Sequence, residues 1–258
     1  MKKNFLLHTI QMICLLLVMQ SINTIQAQDE YQQPVQAPAS VLRGSFHING
    51  GVGFAANKEF KAAYRNNMGD MGLNFGTGFL LNPFGIGKQP RYSPVLIGLD
   101  FNWNYLGRDK YEFTNSYEDW KREFWMGNFG ALLRLDPMNN VHQKVRFFGD
   151  GFAGWGRYWA NTKIDKDLLD TIIDDEQYLV GKYNDNNFTW GAGGGLLIGN
   201  GKQSGALFMI RAMYYFNGNY TVVDRETVRI ENNNLNYQVK TVNANMFTVQ
   251  IGISLDAK

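Results

Sequence analysis

The chain has a single cysteine, Cys14, and it lies in an apolar stretch near the N-terminus. Loss of that stretch would leave no thiol, which excludes a disulfide framework and a thiolate metal site. Histidine is almost as scarce: His8, His47 and His142 are the whole complement. Proline accounts for 6 of 258 residues, so few strands are interrupted. Charge has no dominant sign, with 25 basic and 23 acidic residues. The strongly basic surface of a general nucleic-acid binder is therefore missing. Beyond the N-terminus no apolar run approaches the roughly 20 residues of a membrane helix. A chain of this kind can cross a bilayer only as a closed barrel, because lipid leaves no other sheet with a satisfied backbone.

Lys2 and Lys3 precede a mostly apolar segment over residues 4–19, Ile25-Gln26-Ala27 ends on a small residue, and Gln28-Asp29-Glu30 follows. This layout predicts a signal peptide over 1–27, cleaved after Ala27. Its unbroken apolar core, residues 13–19, is too short for a membrane anchor. Met12-Ile13-Cys14-Leu15 lacks the small residues of a lipoprotein cleavage site. Removing 27 of 258 residues leaves 231; removing Lys2 and Lys3 from the 25 basic residues leaves 23, matching the 23 acids. Residues 28–43 are polar, contain Pro34 and Pro38, and read as a lead-in to a domain over 44–258.

Aromatics make up 14 % of the chain and glycine 28 residues. In eight segments the large apolar residues alternate with polar residues or glycine: 45–54, 72–81, 95–105, 124–135, 145–159, 188–198, 206–216 and 245–255. The third is clearest. Val95, Ile97, Leu99, Phe101, Trp103 and Tyr105 oppose Gly98, Asp100, Asn102 and Asn104. The fifth is blurred by Phe148 and Phe152, which share the phase of Arg146, Asp150 and Gly154. A tilted membrane strand needs about 9–11 residues. An apolar face toward lipid and a polar or glycine face toward a lumen is the pattern of a transmembrane barrel. The fold expected is all-β, an eight-stranded antiparallel up-and-down barrel.

Connection lengths agree with this. The gaps 55–71, 106–123, 160–187 and 217–244 are long, whereas 82–94, 136–144 and 199–205 are shorter. Outer-membrane barrels have short periplasmic turns and long external loops, so both termini are expected in the periplasm and residues 28–43 become a periplasmic lead-in. All six tryptophans, Trp103, Trp120, Trp125, Trp155, Trp159 and Trp190, fall at or beyond the long-loop ends of strands. Tryptophan favours the membrane–water interface, since its ring is apolar and its edge polar.

These strands resemble the small outer-membrane β-barrel proteins of the OmpA/OmpX kind, in particular Gly- and Asn-rich versions from Bacteroidota. The last strand, Phe247-Thr248-Val249-Gln250-Ile251-Gly252-Ile253-Ser254-Leu255, is similar to the C-terminal assembly signal of such barrels. It departs from that signal by ending in Leu255-Asp256-Ala257-Lys258 instead of Phe. The resemblance implies a Gram-negative cell envelope, with the outer-membrane assembly machinery and outer-membrane lipid as partners and no cofactor. It also implies three roles to choose among: external loops for binding or envelope support, a narrow channel for ions or small solutes, or an accessory barrel of a type IX secretion system. A soluble barrel with its aromatics turned inward around an apolar ligand is the remaining option.

Few residues suit catalysis. Gly51-Val52-Gly53-Phe54-Ala55-Ala56 matches GxGxxA, but no βαβ unit surrounds it. His47 opens a strand and His142 lies in a short turn, far from the rim where a hydrolase would need a base. Asp165, Asp167, Asp170, Asp174, Asp175 and Glu176 make an acidic loop without EF-hand spacing. Ile164, Leu168, Leu169, Ile172 and Ile173 recur there at helical spacing, which predicts a short amphipathic helix over the barrel mouth. Arg157, between Trp155 and Trp159 on the lipid-facing phase, either meets lipopolysaccharide phosphate or snorkels to the interface.

Inward residues carry the sharper expectation. Asp100, Asp150, Arg211 and Gln250 fall near mid-strand, with Arg134 and Arg146 lower toward the short turns. An eight-stranded barrel is only wide enough for side chains to fill, and unpaired charge there is costly. Arg211 is expected to bridge Asp100 and Asp150, with Gln250 completing the network by hydrogen bonding. Polar-face positions such as Asn102 are expected to tolerate arginine better than lipid-face positions such as Leu99.

Overall fold

The computed structural model describes residues 41–63, 71–85, 91–111, 119–138, 144–165, 178–199, 205–224, 227, 229–231 and 234–257. The signal peptide, most of the lead-in, Trp120's side chain and most of the acidic loop lie outside them. The elements in chain order are β1 (Gly44–Ala55), α1 (Lys58–Ala63), β2 (Met71–Leu81), β3 (Val95–Tyr111), β4 (Asp119–Leu135), β5 (Val145–Asp165), β6 (Tyr178–Ile198), β7 (Ala206–Phe216), β8 (Asn219–Val223), β9 (Arg229–Glu231), β10 (Asn234–Asn236), β11 (Val239–Asn243) and β12 (Met246–Ala257). Eight of them, β1 to β7 and β12, close into one antiparallel barrel in which β1 pairs with both β2 and β12. These are the eight strands expected from the alternation. The two other ribbons are β8–β11 and β9–β10.

The polarity is inside-out. Phe75, Leu99, Phe129, Trp155 and Ile251 point outward and are more than half exposed. Asp100, Asn102, Asn128, Arg134, Asp150, Arg211 and Gln250 point inward and are fully or almost fully buried. A soluble barrel would show the reverse. Phe148 and Phe152, which blur the fifth segment, are buried on the inward face. Arg134 lies over the Phe148 ring at 3.9 Å, and Phe152 meets Tyr215 edge-on.

The lumen is closed by apolar packing as well. Leu42, from the end of the lead-in, is buried with Leu80, Leu96, Leu132, Phe152, Met213 and Tyr215. On the long-loop side, α1 and the β8–β11 ribbon contribute Phe60, Tyr220, Val222 and Val242 to a cluster with Phe124, Met126, Tyr158 and Met246.

One expectation is corrected. The gaps at 106–123 and 160–187 are largely strand: β3 and β4 run 17 residues each, β5 and β6 21 each. Their outer portions, such as Arg108-Asp109-Lys110, are polar on both phases, so alternation of apolar residues does not reveal them. A β-bulge at Tyr105/Gly107 marks where β3 outgrows β2. Gly107 has φ +130° there, a conformation open to glycine and strained for other residues. Ile164 is in β5, and Leu168, Leu169, Ile172 and Ile173, on which the expected amphipathic helix rests, lie outside the described residues.

Beyond the end of β4, Asp136 is buried close to Arg146, whose Nη2 donates to Asp256 Oδ2 at 2.7 Å. Burial pushes the Asp136 carboxyl up to about 6; Arg146 opposes the shift and Asp256 adds to it. A carboxyl raised above its unfolded value holds its proton in the folded state, so stability falls as pH rises from about 4 through 6. The stability difference between wild type and Asp136→Asn should therefore move in favour of the wild type between pH 7 and pH 5. Urea titrations at the two pH values measure it, and a difference independent of pH would refute this.

Candidate functional site

The lumen network is built by strand register. Arg211 on β7 is fully buried; its Nε donates to Asp150 Oδ2 at 2.8 Å. Its Nη1 and Nη2 reach Asp100 at 3.1–3.2 Å. One guanidinium thus spans the lumen from β7 to β5 and β3. The planar fork suits this geometry, which a point-like ammonium cannot reproduce.

Two further residues join it. Arg134 does not stay low near the turn: its Nε and Nη2 hold Asp150 at 2.8 and 2.9 Å. Arg134 and Asp150 are direct partners across β4 and β5, a relation legible only once the hairpin register is known. His47 Nε2 lies 3.0 Å from Asp100 Oδ1. The two are on β1 and β3, with Gly78 of β2 between them. A Cβ at Gly78 would fall 2.6 Å from the His47 Nε2, so the missing side chain is what lets histidine cross a strand. Arg146 remains near the short turns, bound to Asp256.

Gln250 departs from the expectation. It is the register partner of Arg211, yet its amide donates to Asn74 Oδ1 at 2.6 Å. Between Gln250 and Asn74 lies Gly51 of β1, which leaves the path open. Asn74 in turn donates to Asn102 and Asn104 at 3.0 and 2.7 Å. The amides form a layer of their own beside the ions. Asn102 is fully buried in that layer, so its face has no room for arginine. Among the described residues no group of three His, Cys, Asp or Glu is placed to hold a metal.

The tryptophans stand on the outer wall. Trp103, Trp155 and Trp190 are exposed, while Trp125 and Trp159 are partly covered because they stack on each other, 6.3 Å apart and 6° from parallel. Trp103 meets Trp159 edge-on at 6.1 Å, and Trp190 stacks on Phe216 at 3.9 Å. Register sorts the wall into rows. Phe101, Phe129, Trp155 and Phe188 form one; Trp103, Gly127, Arg157 and Asn186 form the next; Tyr105, Trp125, Trp159 and Asn184 form the third. The first row is wholly aromatic, and polar residues, Arg157, Asn186 and Asn184, enter only in the two rows above it, as at the edge of a bilayer.

No protein-family model matches the chain. No curated protein matches it either. Among solved structures it is similar to Neisserial surface protein A, at 9 % identity and TM-score 0.43, over 83 % of this chain and 97 % of that one. It is also similar to Ail, the attachment invasion locus protein of Yersinia pestis, solved with the heparin analogue sucrose octasulfate. There the identity is 15 % and the TM-score 0.38, over 84 % of this chain and 100 % of that one. A major outer membrane protein from Thermus thermophilus gives 9 % and 0.44, over 83 % and 99 %. All three similarities lie at identities too low to carry a function across.

Proposed function

We propose that this chain is a non-enzymatic integral outer-membrane barrel that displays a stiff β-sheet outside the cell for binding, with both termini in the periplasm. The observation that carries the reading is the extension of β3–β6. About 9–11 residues cross the hydrocarbon core, and β5 and β6 have 21 each. Pairing of β6 with β7 stops at Trp190, and pairing of β3 with β2 stops at Tyr105. Among the described residues the sheet therefore rises past β2 on one side and β7 on the other, and β8 covers part of the β6 side, where the Thr221 N–H donates to Asp185 Oδ2 at 2.7 Å. A sheet margin raised clear of the barrel is a surface on which a partner can dock, by strand addition where an edge is open.

The filled lumen supports this reading over the channel reading. Buried charges there are paired and flanked by apolar clusters on both sides, and an eight-stranded barrel leaves little space around them. An epitope tag inserted at Asp174 should be labelled on intact cells, and one at Asn139 only after permeabilisation. The opposite pattern would place the sheet in the periplasm and overturn the proposal.

A further inference from the structure

The geometry points to a binding site for a phosphorylated outer-leaflet lipid, one acyl chain lying over Gly127 and its headgroup phosphate held by Arg157 and Lys182. The inference rests on the membrane orientation proposed above. Gly127 is the one outward position of β4 in this region without a side chain, between Trp125 and Phe129. A Cβ there would lie 3.3 Å from Trp159 and 3.4 Å from Trp103. The gap opens a groove of about 470 Å³, lined by Trp103, Phe129, Trp155 and Trp159. That volume is in the range of small-molecule sites.

The groove is apolar at one end and cationic at the other. Its lower border is the aromatic row of Phe101, Phe129 and Trp155, which belongs to the apolar belt. Arg157 stands beside Gly127 in its row and Lys182 two rows above, both exposed. Among the described residues neither makes an ion pair, whereas Arg108, in the row of Lys182, is matched by Glu123 at 2.9 Å. Asn186 adds an amide donor in the row of Arg157, and Asn161 adds one in the row of Lys182. Two unmatched cations, one level with a hydrocarbon-facing slot and one two rows above it, fit an amphiphile with an anionic head and an apolar tail. Arginine and lysine both bind phosphate, arginine bidentately. The match of apolar slot to chain and cations to phosphate selects a lipid over a peptide or a soluble anion.

Native mass spectrometry of the folded protein in zwitterionic micelles tests this, with bisphosphorylated lipid A, its dephosphorylated form and phosphatidylglycerol as probes. Bisphosphorylated lipid A should bind one to one, at least about tenfold tighter than either other lipid. Arg157→Ala with Lys182→Ala should erase that preference. Gly127→Leu should weaken all three lipids alike, since it fills the slot and leaves the cations in place. Equal binding of phosphatidylglycerol would mean that Arg157 snorkels toward any acidic headgroup, and would overturn the site. So would an unchanged preference in the double variant. A heat-shift gel on the same samples separates the two levels. Loss of the shift in the wild type sinks the membrane reading, whereas a normal shift without phosphate preference sinks only the groove.

Discussion

Arg211→Ala is expected to cost the barrel about 3–5 kcal/mol, the range for removing one partner of a buried ion pair. The variant would leave Asp100 and Asp150 facing each other across a lumen that excludes solvent. His47 and Arg134 would remain as partners, but each is already committed to one carboxylate. Arg211→Lys should recover part of the loss, because the charge returns without the fork that spans both aspartates. Neutralising the cluster as a unit, with Asp100→Asn, Asp150→Asn and Arg211→Met together, should be milder than Arg211→Ala alone. Buried charge networks are often replaceable as a whole and rarely in part. Urea unfolding in lipid vesicles measures the three variants against wild type. Arg211→Ala within about 1 kcal/mol of wild type would mean that water, and not Arg211, compensates the two carboxylates.

The second large effect belongs to the outer wall. Leu99→Arg should lower stability by about 2–4 kcal/mol, the cost of a cation at mid-bilayer on the lipid face. Asn184→Arg, exposed three strands away in the upper row, should cost about 0–1 kcal/mol because it is near the interface. Depth is the only variable that separates the two, as both side chains point away from the lumen. The Asn102→Arg comparison suggested by alternation alone fails here, since Asn102 is bonded into the packed amide layer. Equal costs at Leu99 and Asn184, from folding titrations into vesicles, would show that the apolar belt does not face lipid.

What the sequence made legible follows from which physical signals are periodic. Lipid contact imposes a period of two on every membrane strand, so all eight barrel strands and their faces can be read from residues such as Ile97, Leu99 and Phe101. The extensions of β3 to β6 rise past the apolar belt, and nothing imposes that period on Arg108-Asp109-Lys110. The lumen ions were legible by phase and depth, which place Asp100, Asp150 and Arg211 at one level. The partners of each ion were less so. His47 reaches Asp100 only because Gly78 lies between them, and Gln250 leaves Arg211 for Asn74 only because Gly51 opens the way. Those relations are fixed by the stagger of whole strands, which no single segment encodes. The groove over Gly127 is a gap in a row of four strands, visible only when the rows are assembled.

Conductance is the most direct test of a membrane barrel with a filled lumen. Wild-type protein folded into a planar bilayer should be electrically silent, and Arg211→Ala should leak through a lumen that has lost its central cross-link. Steady ohmic conductance from the wild type, unchanged in Arg211→Ala, would contradict the filled lumen and make the protein a channel.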